Sequence, residues 1–250
     1  MIIDKIYMIN LKRKKDVANN SLKKLNNLTN KDNLFSNIDI FEAIDGKLLN
    51  NDDINNNISL KSKYTLKNPS SYDDIRSVGE IGCYLSHTKI WQEIIDNNYK
   101  NCIIFEDDVI PKTNYEMIIK YLDNIPDNYD IAYLGWWNRF SFNYVNKNSY
   151  WYYTNYNDRN KQNVLGLYSY VISNKGARKL LSKAFPIDIQ LDSYVSLYSN
   201  VYKDFIRYLS KEKLFEADKS VLGDDNTHTK CNKCYYFHSV YKNNKNNNIY

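Results

Sequence analysis

The stretch from Gly79 to Pro111 narrows the possible folds more than any other part of the chain. Ile81, Leu85, Trp91, Ile94 and Ile95 recur on one helical face, and the helix they predict ends near Asn97 and feeds an apolar strand over 102–106. That strand runs straight into three acids, Glu106, Asp107 and Asp108. The same alternation is read elsewhere. Residues 2–10 read as a buried strand, followed by Val17, Leu22, Leu25 and Leu28 at roughly helical spacing. Residues 38–46 read as a second strand closed by a Gly turn, with further strands at 131–135 and 168–172 and helices near 114–123 and 174–184. Strands alternating with helices predict an α/β fold: a mainly parallel central sheet with helices on both faces.

With 250 residues and 43% hydrophobic content the chain has enough for one large core, and a single domain over 1–240 is expected. The Asn-rich segment 48–74 carries little periodicity and reads as a surface insertion or mobile loop. The aromatic segment 136–156 reads as a hairpin or a loop over the sheet, and 241–250 as a disordered tail. The net charge of +5, from 34 Lys and Arg against 29 acids, is spread along the chain. It mildly favours an anionic ligand and lacks the basic stripe of a nucleic-acid binder. No run approaches a membrane span and the first residues lack a signal-peptide cleavage pattern, so a soluble, cytoplasmic chain is expected, in the host cytoplasm if it is viral. Cys83 and Cys102 sit in apolar patterns and read as reduced core thiols.

Three adjacent acids repel one another and call for a positive partner. In open parallel sheets ligands bind beyond the carboxyl ends of the strands, where this triplet falls. Alternation along an extended segment sends Glu106 and Asp108 to one side and Asp107 to the other. Two carboxylates facing one site suit Mn²⁺ or Mg²⁺, and such an ion best serves a diphosphate leaving group, which points to a nucleotide or nucleotide-sugar substrate. The alternative is a solvated acidic turn that caps the next helix.

The run "VGEIGCYLSHTKIWQEIIDNNYKNCIIFEDDVIP" (78–111) resembles the central motif of glycosyltransferase family 25, which includes bacterial lipooligosaccharide galactosyltransferases and collagen galactosyltransferases. "INLKRKKD" (9–16) and "FEAIDGK" (41–47) are similar to the family's opening segments. "YDIAYLGWW" (129–137), "GLYSYVISNKGARKLL" (166–181) and "FPIDIQLDSY" (185–194) follow in its order. The resemblance implies a GT-A type, Rossmann-like fold and an inverting, metal-assisted hexosyltransferase. Its donor would be a UDP-sugar, above all UDP-galactose, and its acceptor a hydroxyl on a glycan or on hydroxylysine of a collagen-like protein. It implies Glu106 and Asp108 as metal ligands with Asp107 in support. It also implies Asp192 as the base that takes the acceptor proton, although the motif's proline is displaced to Pro186; Asp188 is the second candidate.

Asn10, Leu11 and Arg13 follow the first strand, where the resemblance places uridine and phosphate contacts; Val17 stands where many relatives carry a second Arg. Asp45 and Gly46 would border the nucleoside. Gly79 and Gly82 permit close backbone approach, and Glu80, Ser86 and His87 are further candidates, His87 reading equally as a satisfied core group. His228 is a candidate late metal ligand. With Cys231, Cys234 and His238 it forms a cluster too tight for an ordinary zinc site, which reads equally as a redox pair or as plain reduced thiols. Trp136, Trp137 and Trp151 suit sugar stacking or the core. Two other classes compete. A binding module without turnover has no use for the acidic triplet, and a metal-dependent nuclease or nucleotidyltransferase lacks both a basic stripe and a phosphate-cradling Gly-rich loop here.

Overall fold

The structure, a computed structural model, describes residues 1–28, 34–138, 144–154 and 164–221. The chain opens with β1 (Lys5–Asn10), α1 (Lys15–Asn26) and β2 (Asp39–Glu42). Two short helices follow, α2 (Asn51–Asn57) and α3 (Leu60–Thr65), then the long α4 (Val78–Asp96). Next come β3 (Asn101–Glu106), β4 (Val109–Pro111), α5 (Tyr115–Asp123), β5 (Ile131–Tyr133) and β6 (Trp137–Asn138). The remainder is β7 (Tyr144–Asn146), β8 (Trp151–Thr154), β9 (Val164–Leu165), β10 (Ser169–Ser173), α6 (Asn174–Leu181), α7 (Leu191–Val201), β11 (Arg207–Ser210) and β12 (Phe215–Ala217).

Eight strands form one mixed sheet in the order β2-β1-β3-β10-β5-β11-β8-β7. β2, β1 and β3 run parallel, as do β5 and β11, while β10 runs against both of its neighbours. Side-chain alternation builds a core on each face. Tyr7, Ile9, Cys102, Ile104, Tyr170 and Ile172 pack under α4, α6 and α7. Ile6, Met8, Ile103, Phe105 and Val171 pack under α1 and α5. The hairpin of β7 and β8 extends the sheet at the edge of β11, so the aromatic segment supplies strands of the sheet itself. Trp151 is fully buried there and donates its Nε1–H to Tyr121 O at 3.0 Å. Trp136 is half-buried and donates its Nε1–H to Ser210 O at 2.9 Å, while Trp137 is exposed.

α4 begins where Ser77 caps Glu80 N and ends before Asn98, whose φ of 53° is a left-handed turn that Asn tolerates. Segment 48–74, expected as a loop, carries two helices. Asn50 and Asp53 form a reciprocal capping box and Ser59 caps Ser62 N. Ile58 pairs with Ile187, and Asp73 accepts from Gln190 N at 2.9 Å and Ser193 Oγ at 2.6 Å, which fastens the segment to the body of the protein. Cys102 is buried as expected, but Cys83 is exposed. Position 83 falls off the apolar stripe of α4, on the face turned to the end of β3. Among the described residues no helix is long and apolar enough to cross a membrane.

Candidate active site

Strand register brings the acids to the end of β1. Ile9 is the partner of Glu106, so the residues that follow, Asn10 and Asp107, meet at the carboxyl edge of the sheet. Asn10 is buried and donates from Nδ2 to Asp107 Oδ2 at 2.7 Å and to Lys14 O at 3.0 Å. Glu106 is directed to the α4–α7 side, where its Oε1 lies 3.5 Å from His87 Nε2. Asp108 lies in the turn between β3 and β4. The ribbon of β4 and β12 then delivers a fourth carboxylate: Val109 pairs with Ala217, and Asp218 N donates to Asp108 O at 2.7 Å. Asp218 is itself paired with Lys24 at 2.8 Å. Nothing local to residue 218 signals this contact.

Carboxylates gathered in a poorly solvated cleft hold their protons more tightly. Desolvation, then Asp107, pushes Glu106 up to about 7. Desolvation, then Glu106 and Asp107, pushes Asp108 up to about 7. Asp107 is raised by burial, against the opposing Asn10 bond. Asp108 Oδ1 is buried with no hydrogen-bond partner. While the neighbouring acids are ionised they offer it only further acceptors.

Asp192 joins the same cleft from the first turn of α7. Its carboxylate accepts from Gly166 N at 3.1 Å and Leu167 N at 3.2 Å. Gly166 has φ 98°, a conformation that side-chain-bearing residues rarely adopt. Desolvation and the charge of Glu106 raise Asp192 to about 6 in spite of those two bonds. The Tyr168 ring closes the wall between these groups, since a Cβ on Gly166 would lie 2.6 Å from it and one on Gly135 2.5 Å. Asp188 is exposed and its charge acts on Tyr84; it is not among the groups that perturb Glu106, Asp108 or Asp192.

The other candidates divide between cleft and framework. Leu11 and Arg13 follow β1, and Arg13 Nε donates to Asp45 Oδ2 at 2.7 Å, which lowers the Asp45 pKa and ties the first two strand ends together. Gly46 and Gly82 hold the turn after β2 against α4. A Cβ on Gly46 would lie 1.8 Å from Val78 O and 2.8 Å from Gly79 N, and one on Gly82 2.4 Å from Ile44 O. Ser86 is fully buried and spent on that junction, accepting from Ile44 N at 2.8 Å and donating to Gly82 O at 2.7 Å. Glu80 pairs with Arg76 at 2.6 Å. A pocket of about 270 Å³ opens beside Asn10, lined also by Lys12, Lys15, Asn19 and Glu42. His228, Cys231, Cys234, His238 and the tail lie outside the described residues.

Comparison with known proteins shows the family. The family model described as "Glycosyltransferase family 25 (LPS biosynthesis protein)" matches residues 3–195. The chain belongs to glycosyltransferase family 25. Its fold is α/β, a mixed sheet with helices packed on both faces. Human procollagen galactosyltransferase 2 is 36% identical over 137 residues, which cover 54% of this family 25 chain and 20% of the human protein. A glycosyltransferase 25 family member of Aedes aegypti is 28% identical over 215 residues, 80% of this chain and 32% of that one. The chain thus spans a third or less of the length of these relatives. Among solved structures, a glycosyltransferase involved in the glycosylation of the major capsid of PBCV-1 is 9% identical, with a TM-score of 0.46 over 94% of this chain and 98% of that one.

Proposed function

We propose that this chain is an inverting, divalent-metal-dependent hexosyltransferase that moves galactose from UDP-galactose to a hydroxyl of a glycan or of hydroxylysine in a collagen-like protein. The observation that carries the metal site is Asp108 Oδ1, buried without a partner beside Glu106 and Asp107, all three carboxyls raised. This all-oxygen, electron-rich set fits Mn²⁺ or Mg²⁺, with Glu106 and Asp108 as its ligands. When bound, such an ion neutralises the charge that develops on a departing diphosphate.

The remaining work falls to the chain. Asn10 holds Asp107 in place from the end of β1. Lys12 and Lys15, in the pocket beside Asn10, supply positive charge for a nucleotide phosphate. Asp192 takes the proton of the acceptor hydroxyl as that oxygen attacks the sugar from the face opposite the leaving group. Its two backbone donors fix the carboxylate, and a pKa near 6 makes it a better base than an ordinary Asp while leaving it ionised at neutral pH. The galactose and collagen elements of this reading are supported by the human relative's name.

The test is UDP release from a panel of UDP-sugars with Mn²⁺ or with chelator, in the wild type, Asp108→Asn and Asp192→Asn. Metal-dependent release with UDP-galactose, lost in both variants, is expected. UDP binding with no release from any sugar, with glycan and collagen-peptide acceptors present, would turn the reading to a binding module.

A further inference from the structure

We propose that Cys83 Sγ, His87 Nε2 and a Glu106 carboxylate oxygen form a second metal site, on the α4 side of the acid cluster, for a borderline-soft cation of the zinc class. The three ligand atoms all lie within 4.8 Å of one another. Cys83 and His87 are one helical turn apart on α4 and so share a face. Glu106 meets that face from the end of β3.

His87 Nε2 distinguishes this cluster from an ordinary group of polar residues. The imidazole is fully buried and stacked on Tyr170, with ring centroids 5.8 Å apart and planes 18° apart. Its Nδ1 lies 2.8 Å from Tyr170 Oη, and that oxygen accepts the Trp91 Nε1–H at 3.0 Å. The ring is therefore held in one orientation, and Nε2 is left without a hydrogen-bond partner. Glu106 Oε1 is 3.5 Å away, too far for a normal hydrogen bond. Bond lengths of about 2.0–2.2 Å at a tetrahedral zinc place a nitrogen and an oxygen ligand roughly 3.4 Å apart. The observed separation suits a bridging cation better than a direct bond. In the tautomer in which Nδ1–H donates to Tyr170 Oη, the free lone pair is on Nε2, the arrangement usual for a ligating histidine anchored through its other nitrogen, and it is this tautomer that a bound cation selects.

Cys83 completes the set. Glu106, Asp192, Glu80 and Asp107 surround the thiol with carboxylates, whose negative charge a cation offsets. Binding breaks the S–H bond, forms the sulfur–metal bond and releases the proton to solvent, with no change of oxidation state. Thiolate and imidazole select zinc over Mn²⁺ or Mg²⁺, which prefer the oxygen ligands at Asp108. Three protein ligands leave a fourth position open. Because Glu106 serves both sites, zinc here withdraws a carboxylate from the donor site and inhibits transfer. That last consequence rests on the function proposed above; the binding itself does not.

The test is a cobalt(II) titration of the full chain, freed of metal, kept reduced and followed by absorption. A thiolate-to-cobalt charge-transfer band is expected, displaced by Zn²⁺ and not by Mg²⁺. It should vanish in Cys83→Ser and persist when Cys231→Ser and Cys234→Ser are combined. Zinc affinity in Cys83→Ser should fall beyond the about 10–100-fold that loss of an outer partner costs. On the unaltered chain, Zn²⁺ should slow iodoacetamide labelling of Cys83, read by mass spectrometry. Absence of the band, a band that survives Cys83→Ser, or Cys83 labelling indifferent to zinc would overturn the proposal. Zinc binding lost in Cys83→Ser, in a protein that releases no UDP under any condition, would uphold this site and sink the transferase reading alone.

Discussion

Replacing Asp108 by Asn should stabilise the metal-free protein at pH 8 and do nothing for it at pH 4. In the folded chain Asp108 is raised from an ordinary 3.8 to about 7 by desolvation, Glu106 and Asp107. An acid raised on folding binds more protons in the folded than in the unfolded state between those two values, so stability falls as pH climbs through that window. At full strength the shift corresponds to about 4 kcal/mol. Asp108 is partly reached by solvent and shares its perturbation with Glu106, so a discounted gain of about 1–3 kcal/mol is expected in the variant. For a domain of this size that is an upward shift in Tm of roughly 2–12 °C. Chelator-treated wild type and variant would be melted at pH 4 and pH 8, then again at pH 8 with Mn²⁺. Manganese should raise the wild type and leave the variant nearly unmoved. A variant that is less stable by the same amount at both pH values would refute the electrostatic reasoning and make Asp108 an ordinary turn residue.

Other expectations follow the same logic. Asp192→Asn should lower kcat by about 10²–10⁴-fold with metal-dependent UDP binding intact. In the wild type, kcat should fall as pH drops through about 6, where Asp192 becomes protonated and can no longer accept a proton; a flat profile down to pH 4.5 would count against that role. Gly82→Ala should cost about 1–3 kcal/mol in chemical denaturation, because its Cβ would meet the Ile44 carbonyl oxygen at 2.4 Å. Trp151→Ala should cost about 3–5 kcal/mol, since the ring is fully buried and its N–H is bonded to Tyr121 O; a loss under 1 kcal/mol would place it outside the core.

What was legible in the sequence was local. The helical stripe of α4 and the apolar run of β3 stand in the residues themselves, and the acid triplet needs only the end of that strand. The α2 and α3 helices escaped because Asn and Lys hide any apolar period; their signals were the caps, Asn50 with Asp53 and Ser59 with Ser62. The reversed direction of β10 is a matter of tertiary pairing, as is the delivery of Asp218 to Asp108 by β12. Cys83 reads as core from the apolar pattern around it, yet a two-residue offset from Ile81 or Leu85 on a helix turns a side chain to a different face. Ser86 and Glu80 share the motif with the cleft residues, but their hydrogen bonds hold α4 in place.

The central claim is that the acids at the end of β3 hold a metal and the metal holds a diphosphate. Calorimetric titration of UDP into the wild type and Asp108→Asn, each with Mn²⁺ and with chelator, tests it most directly. UDP should bind the wild type with Mn²⁺, and weakly or not at all in the other three cases. Equal UDP affinity in all four would contradict it.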